Sequence, residues 1–220
     1  MKKTANEQFI KYEHYNPTIL KFVKNNGQKN TRILDVGCWT GSLGAQLISN
    51  ISCVVDGLDN NQAALKQAQI RGYINTYLLQ LDNLDVSIIR EKYDLIIFGD
   101  VLEHAINPEE IIRKLKAKLK KGGKIIISLP NVGFVYYRLT HLLGRWDYKE
   151  TGIMDRTHLK FYTLNSMRKF IDSQNLTIID FEGQSIVRKS LMFINVLAKF
   201  APSVFAIQAV FLLEINNIEK

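Results

Sequence analysis

A glycine-rich turn between an apolar run and a helical pattern constrains the fold of this chain most. Residues 31–47 read TRILDVGCWTGSLGAQL, with Asp35 near the end of the apolar run and glycines at 37, 41 and 44. Residues without a Cβ let the backbone turn tightly and pass close to a ligand. A strand, a glycine turn and a helix in this order are typical of a nucleotide-binding edge in an α/β sheet. The segment therefore predicts a nucleotide-like ligand.

The composition predicts one domain, residues 1–220, with an ordinary water-exposed surface. Hydrophobic residues make up 46% of the chain and charged residues 23%, which is enough apolar material for one core. The net charge of +8 permits an anionic partner, but a basic, well-solvated surface explains it equally well. Cys38 and Cys53 have neither zinc nor redox spacing, so we expect reduced thiols in the cytoplasm.

An apolar stretch at residues 191–213 raises the question of a membrane segment. Lys199, Pro202 and Gln208 interrupt it, which argues against a spanning helix. We predict a helix, a turn at Pro202-Ser203 and a buried strand, with a membrane-surface face as the alternative. The first fifteen residues, MKKTANEQFIKYEHY, are too polar for a signal peptide. We therefore expect a cytoplasmic chain without stable membrane insertion.

Apolar runs and helical patterns alternate along most of the chain. Seven strand-like runs are rich in Ile, Val and Leu, as in strands covered on both faces: 32–36, 53–59, 73–80, 94–98, 124–128, 176–182 and 205–215. Helical patterns lie at residues 62–69 and 108–120, the second ended by a Lys-Gly-Gly turn. The alternation predicts an α/β protein with a doubly wound parallel sheet. Residues 1–29 form a helical cap in this prediction, and residues 131–163, where the rhythm breaks, form an insertion.

Four consecutive predicted strands end in an acidic residue, namely Asp35, Asp59, Asp82 and Asp100. In doubly wound sheets, ligands bind at the carboxyl ends of the strands. A carboxylate after the second strand suits a ribose because it accepts hydrogen bonds from both hydroxyls, and Asp82 could receive the amino group of an adenine. Acidic groups repel a pyrophosphate but tolerate a sulfonium. In addition, Trp39 occupies the position where a dinucleotide-binding turn has a glycine that lets the backbone approach the pyrophosphate. The pattern favours S-adenosylmethionine.

The ordered motifs resemble class I S-adenosylmethionine-dependent methyltransferases of the small-molecule type over residues 30–215. The matching segments are ILDVGCWTGSLG, GLDNNQAALKQA, LLQLDNLD, YDLIIFGDVLEHAINPEEIIRKLKAKLKKGGKIIISLPN and FAIQAVFLLEI. The resemblance implies a Rossmann-like sheet of seven strands in the order 3-2-1-4-5-7-6, with the last strand antiparallel. It implies that Asp35, Gly37 and Gly41 line the methionine part, that Asp59 holds the ribose, and that Leu81 and Asp82 meet the adenine. The predicted cofactor-binding set also includes Cys38, Trp39, Asn60, Asn83, Gly99 and Asp100; the family usually has glycine at the position of Trp39.

Residues 131–163 resemble a segment of bacterial methyltransferases from polysaccharide and secondary-metabolite gene clusters and, more loosely, of ubiquinone-biosynthesis O-methyltransferases. That resemblance implies a lid that shapes the acceptor pocket. The segment is both basic and aromatic. An aromatic ring stacks on a flat acceptor, and a guanidinium binds a carboxylate or phosphate. We predict that Arg138, Trp146, Tyr148 and Arg156 bind an acceptor that carries a negative charge, although they could equally pack and salt-bridge the lid.

An oxygen acceptor gains from a general base that removes its proton. His158 is the first candidate, with Asp155 to orient it, because the pKa of a histidine suits proton transfer near neutrality; a structural histidine is the alternative. His104 is the second candidate. A run like that from Asp100 to His104 is associated with a divalent cation in the ubiquinone-biosynthesis relatives. We predict no metal, although this metal question stays open, because Val-Leu-Glu-His is widespread in this fold without metal.

The sequence therefore predicts methyl transfer to a hydroxyl of a small molecule, sugar-linked or from secondary metabolism, by a monomer or homodimer. N-methylation of a small molecule and a non-catalytic cofactor-binding subunit are alternatives. The charge suggests a nucleic-acid methyltransferase, but there is no Lys/Arg-rich tail. The Asn-Pro-Pro-Tyr type of signature is also missing after the fourth strand, where Gly99-Asp100-Val101-Leu102 stands. We therefore expect no nucleic-acid partner. An NAD dehydrogenase is the last alternative.

Overall fold

The computed structural model describes residues 15–26, 30–185 and 192–216. Seven strands form one sheet in the order β3-β2-β1-β4-β5-β7-β6, which confirms the predicted order. The strands are β1 (Thr31–Val36), β2 (Cys53–Asp59), β3 (Thr76–Leu78), β4 (Tyr93–Gly99), β5 (Leu119–Pro130), β6 (Leu176–Gln184) and β7 (Gln208–Ile215). β7 pairs antiparallel with β6, as predicted for the last strand.

Eight α-helices lie in the described part of the chain: α1 (Pro17–Asn26), α2 (Ser42–Asn50), α3 (Gln62–Ile70), α4 (Pro108–Lys116), α5 (Val135–Leu142), α6 (Leu164–Ser173), α7 (Met192–Phe200) and α8 (Pro202–Phe205). None of the described helices is long and apolar enough to cross a membrane. α1 begins at the predicted break after Asn16, whose side chain accepts a hydrogen bond from the Thr18 N–H at 2.9 Å. The part of the predicted cap that covers residues 1–14 lies outside the described residues.

Several predicted boundaries are wrong: the fifth strand begins at Leu119 and not at residue 124, and the seventh begins at Gln208 and not at residue 205. α4 ends at Lys116 and not at residue 120, because the chain turns there to enter β5 at Leu119. The Lys118 carbonyl accepts the N–H of Tyr93 at 2.9 Å, which places residues 119–120 in a strand. The third strand has three residues, Thr76–Leu78, and not eight. Tyr73 does not belong to the strand, because its side chain is buried and its N–H donates to the carbonyl of Ala68 in α3.

The chain divides into two compact units, which are described separately below. The first contains residues up to 99 and residues 110–126, and the second contains residues 100–109 and those from 127 onwards. In the first unit, the core is formed by fully buried side chains such as Ile33, Leu34 and Leu58. In the second, Met167 and Phe211 have this role. Each such side chain stabilises the fold by about 1.5–3 kcal/mol.

Candidate active site

The carboxyl ends of β1 to β4 meet at one edge of the first unit. β1 pairs in parallel with both β2 and β4, and β2 with β3, so all four strands point the same way. Eleven of the predicted cofactor-binding residues lie at or just beyond these ends: Asp35, Gly37, Cys38, Trp39, Gly41, Asp59, Asn60, Leu81, Asp82, Asn83 and Gly99. Asp35 and Asp59 are buried, whereas Asn60, Asp82 and Asn83 are exposed. The twelfth, Asp100, belongs to the second unit.

The glycine turn after β1 has three residues in the left-handed backbone region, Gly37 at φ 72°, Trp39 at φ 47° and Gly41 at φ 82°. An L-residue in this region costs about 1–2 kcal/mol, so Trp39 is held there by its surroundings. Its main-chain N–H donates to Asp59 Oδ2 at 2.8 Å, and Asp59 Oδ1 accepts the N–H of Asn61 at 2.9 Å. The Asp59 carboxylate thus joins the loops after β1 and β2.

The space beside the glycine turn is filled by the ring of Tyr73, for which no sequence motif gave a sign. A Cβ on Gly41 or Gly44 would come within 2.7 or 2.3 Å of that ring. The Tyr73 hydroxyl donates to Asp35 Oδ2 at 2.6 Å and accepts the Gly44 N–H at 3.0 Å. These two glycines therefore make room for a buried tyrosine.

Burial controls the protonation of the groups at this edge. It raises the pKa of the Asp35 carboxyl to about 6, against the opposing effect of the Tyr73 hydrogen bond. Burial also raises the pKa of Asp59, which the N–H groups of Trp39 and Asn61 partly offset. The pKa of the Cys38 thiol is raised in the same way, so it stays protonated and is a poor nucleophile. Ionisation of a buried carboxyl costs free energy, and a cation beside the carboxyl reduces that cost.

These groups fit S-adenosylmethionine better than a dinucleotide. A carboxylate offers about four lone-pair sites, and the Asp59 carboxylate uses part of them on the main-chain N–H groups of Trp39, Asn61 and Asn60. The rest could accept a ribose hydroxyl. Asp35 and Asp59 together match the positive charge of a sulfonium or ammonium, whereas a pyrophosphate at the same edge would be repelled.

The second unit brings together Glu103, His104 and His158. Glu103 and His104 lie on a 3₁₀ turn, Leu102–His104, and His158 on a separate turn. The two imidazole rings meet edge-on with centroids 4.7 Å apart, and His158 Nε2 is 4.0 Å from Glu103 Oε1. The Glu103 carbonyl also accepts the N–H groups of Leu159 and Lys160, at 2.8 and 3.0 Å. Main-chain hydrogen bonds therefore hold the two turns together.

Hydrogen-bond partners define the tautomer of both imidazoles. His158 Nδ1 lies 3.0 Å from the carbonyl of Ile153, and His104 Nδ1 lies 3.1 Å from both the carbonyl and the hydroxyl of Thr157. The Thr157 hydroxyl donates its own proton to Asp155 at 2.7 Å, so it accepts from His104. A carbonyl only accepts, so each Nδ1 carries a proton.

Two acidic residues of the predicted site have defined partners in this unit. The Asp155 carboxylate accepts the N–H and hydroxyl of Thr157, so it acts on His104 through Thr157, while its main-chain carbonyl accepts the His158 N–H at 3.0 Å. Asp100, with φ 54°, accepts from the hydroxyl of Ser128 at 2.8 Å and from the amide of Gln208.

The predicted acceptor-binding residues divide into two kinds of contact. Trp146 stacks on His141 at 4.2 Å and meets Phe161 edge-on at 5.4 Å, while Tyr148 lies 6.2 Å from the same Phe161. Phe161, which the sequence did not single out, lies 6.2 Å from the ring of His158. The two arginines contact protein groups: Arg138 donates to the carbonyls of Gly133 and Ser203, and Arg156 pairs with Glu150 at 2.6 Å.

A family profile described as a methyltransferase domain matches residues 9–180. The chain belongs to this methyltransferase family. A relative of the methyltransferase, the ubiquinone biosynthesis O-methyltransferase of Coxiella burnetii, is 24% identical over 172 residues, which cover 76% of this chain and 73% of that protein. The Vibrio parahaemolyticus protein of the same name is 28% identical over 182 residues, covering 80% and 77%. The magnesium protoporphyrin IX methyltransferase of Synechocystis, solved with bound S-adenosylhomocysteine, aligns with a TM-score of 0.65 at 15% identity over 98% of this chain and 90% of that chain.

These comparisons confirm the class I S-adenosylmethionine-dependent methyltransferase predicted from the motifs. S-adenosylmethionine is therefore the cofactor, and the protein is an enzyme. The solved structure supports the Rossmann-like fold that the strand order already shows.

Proposed function

We propose that this methyltransferase transfers the methyl group of S-adenosylmethionine to a hydroxyl of a small molecule that is sugar-linked or derived from secondary metabolism. The observation that carries the proposal is the 3.0 Å contact between His158 Nδ1 and the carbonyl of Ile153, which places a proton on Nδ1 and assigns the role of base to Nε2. The names of the two relatives, both O-methyltransferases, also support an oxygen acceptor.

The strand ends of the first unit bind the cofactor in this proposal. When bound, S-adenosylmethionine supplies an electrophilic methyl group on a sulfonium. Asp59 accepts the ribose hydroxyls, and Asp35 with the turn residues Gly37 and Gly41 lines the methionine part. The other members of the cofactor-binding set are Cys38, Trp39, Asn60, Leu81, Asp82, Asn83 and Gly99. Asp100 is tied to Ser128 and Gln208, so we assign it to holding the loop after β4.

Methyl transfer requires the acceptor oxygen to lie opposite the sulfonium leaving group. Positioning of this kind lowers a barrier by about 7–11 kcal/mol in favourable cases. His158 Nε2 takes the hydroxyl proton, and the carbonyl of Ile153 stabilises the imidazolium through its Nδ1–H. His104 has the same tautomer and is the second candidate for this role. Asp155 is a positioning residue that acts through Thr157.

Aromatic side chains around Phe161 suit a flat or ring-shaped acceptor. Trp146 and Tyr148 are 47% and 53% exposed, so their faces are available for stacking. Arg138 and Arg156 each keep guanidinium donors beyond the contacts described, which would pair with a carboxylate or phosphate on the acceptor.

Calorimetry with S-adenosylhomocysteine and NAD tests the cofactor assignment, and tritiated S-adenosylmethionine with a panel of phenols and sugar-linked alcohols tests the acceptor. Asp59→Ala should abolish S-adenosylhomocysteine binding, while the exposed Asp85→Asn variant binds it as wild type does. His158→Gln should bind the cofactor normally and lose at least tenfold in turnover. Transfer only to amines, or full turnover of His158→Gln at every pH, would contradict the proposal.

A further inference from the structure

Different residues fix the two halves of the glycine turn to the rest of the first unit. The first half, residues 37–39, is held by main-chain bonds to the carbonyl of Leu58 and by the carboxylate of Asp59. The second half, residues 40–42, is contacted by the side chain of Arg71, which follows α3. No sequence motif singles out this arginine, and the cofactor-binding set described above does not include it.

The guanidinium of Arg71 reaches two hydroxyls of the second half. Its Nη1 donates to Thr40 Oγ1 at 3.1 Å and to Ser42 Oγ at 2.8 Å. Its main-chain N–H donates to the carbonyls of Gln67 and Ala68, both at 3.0 Å, which fixes the start of the side chain at the end of α3. Thr40 is 2% exposed, so water does not compete for its contact with Arg71. Hydrogen bonds from a charged donor are also stronger than those between neutral groups.

The backbone around Thr40 needs such a contact. Thr40 lies between two residues in the left-handed region, Trp39 at φ 47° and Gly41 at φ 82°. A residue with a side chain persists in that region only where its surroundings hold it. Asp59 holds the N–H of Trp39, and Arg71 adds a second hold one residue further on. The two contacts together fix the turn where it enters α2.

The same contacts determine where the two hydroxyl protons can point. A guanidinium only donates, so the hydroxyls of Thr40 and Ser42 accept from Arg71, and each keeps its own proton for another acceptor. Ser42 is half-buried and is the first residue of α2, whose first turn contains no acidic residue. Arg71 therefore orients the Ser42 hydroxyl as a donor, which suits the carboxylate of an amino acid.

We propose that Arg71 is a positioning residue for the amino-acid part of S-adenosylmethionine and acts through Thr40 and Ser42. The inference rests on the proposed function, in which Gly37 and Gly41 line the methionine part. With Arg71 in place, the second half of the turn has one conformation before the cofactor binds. Affinity is higher for such a site, because binding does not have to order the turn.

Support of the fold as a whole is the competing role for Arg71. It would tie the end of α3 to the start of α2 whether or not a ligand is bound. The two roles predict different effects on different ligands. Loss of general support weakens the binding of every adenosyl compound alike, whereas loss of the contacts to Thr40 and Ser42 weakens only compounds that carry the amino-acid part.

Titration calorimetry with S-adenosylhomocysteine and with methylthioadenosine, which lacks the amino-acid part, separates the two roles. Arg71→Met should weaken the binding of S-adenosylhomocysteine about tenfold and change that of methylthioadenosine less than about twofold. Arg71→Lys keeps the charge but not the planar fork and should give an intermediate loss. Arg90→Met is the matched control, because Arg90 is an exposed arginine of the same unit, and it should bind both compounds as wild type does. Equal weakening of both compounds by Arg71→Met would overturn the proposal.

A double-mutant cycle tests the path through Thr40. Thr40→Val removes the hydroxyl and keeps the shape of the side chain. Combined with Arg71→Met, it should weaken the binding of S-adenosylhomocysteine no more than Arg71→Met alone, because both changes remove the same contact. Independent, additive losses would contradict the proposal. A wild-type chain that binds no S-adenosylhomocysteine would overturn the proposed function, whereas wild-type binding that Arg71→Met leaves unchanged overturns this inference alone.

Discussion

The Tyr73 hydroxyl donates to the buried carboxylate of Asp35 at 2.6 Å, which joins the loop after α3 to β1. The same oxygen accepts the Gly44 N–H, so one side chain satisfies groups on β1 and on α2. Tyr73 thus supports the strand edge at which we propose that the cofactor binds.

Tyr73→Phe removes this support while it keeps the ring. It leaves the Asp35 oxygen and the Gly44 N–H without their partner, and we expect the free energy of unfolding to fall by about 1–3 kcal/mol. Urea unfolding measures the change. The control is Tyr77→Phe, because the Tyr77 hydroxyl is only half-buried and lies 3.4 Å from its partner Tyr93. Equal effects of the two substitutions would contradict the role given to Tyr73.

Asp35 should make stability depend on pH in an unusual direction. Its pKa is raised to about 6 in the folded protein, chiefly by burial, whereas an unfolded aspartate has a pKa of about 3.9. A raised pKa means that the contribution of Asp35 to stability is fully present below about pH 4 and is lost as the pH rises to about 6. The shift corresponds to roughly 3 kcal/mol at most.

Asp35→Asn should therefore flatten the pH dependence of urea midpoints between pH 4 and 7 in the cofactor-free protein, since the amide oxygen still accepts from Tyr73. The exposed Asp180→Asn should follow the wild-type curve. Parallel curves for Asp35→Asn and wild type would show that the Asp35 carboxyl does not titrate in this range.

Substitution of Trp39 separates backbone strain from side-chain packing. Ala and Gly both remove the indole, but only Gly relieves the left-handed conformation at φ 47°. We expect Trp39→Gly to be more stable than Trp39→Ala by about 1–2 kcal/mol, the reverse of the usual order of these residues. Thermal unfolding of the pair measures it. Greater stability of the Ala variant would mean that the turn leaves this conformation when the indole is removed.

Arg32 forms an ion pair with the buried carboxylate of Asp56 in the first unit. The Asp56 side chain is fully buried and accepts from Arg32 at 2.8 Å, from Tyr93 at 3.0 Å and from Asn75. Removing one partner of a buried pair costs about 3–5 kcal/mol; we expect about 3 kcal/mol for Arg32→Met because the arginine side chain is partly exposed. Adding Asp56→Asn should recover part of the loss. Arg113→Met, which breaks an exposed pair with Glu110, should unfold like wild type.

The sequence predicted the strands because the apolar runs and the residues at their ends are local signals, whereas the order of the sheet was implied by the resemblance to class I methyltransferases. Asp35, Asp59 and Asp82 each follow an apolar run, and parallel strands bring such ends together. The end of α4 was missed because residues 117–120 continue the helical pattern, while the Lys118 carbonyl pairs with the start of β4, a contact distant in sequence.

The side-chain partners within the site could not be predicted in the same way. Nothing near Tyr73 indicates that its ring fills the space beside Gly44, because the two residues meet only when α3 packs against the turn. His158 was proposed from its chemistry, but its contact with Glu103 crosses 55 residues, and its tautomer depends on the carbonyl of Ile153. Local patterns carry no information on either contact.

The ring of Tyr73 packs against the backbone of the glycines at 41, 44 and 57, so a side chain at any of the three glycines would collide with it. A smaller residue at 73 would open a hole that Gly41 cannot refill, since its backbone at φ 82° disfavours any side chain. A larger residue at 44 or 57 would collide with the ring. Libraries that vary the three glycines one at a time should therefore return almost nothing but glycine, whereas position 73 should accept a ring of the same size.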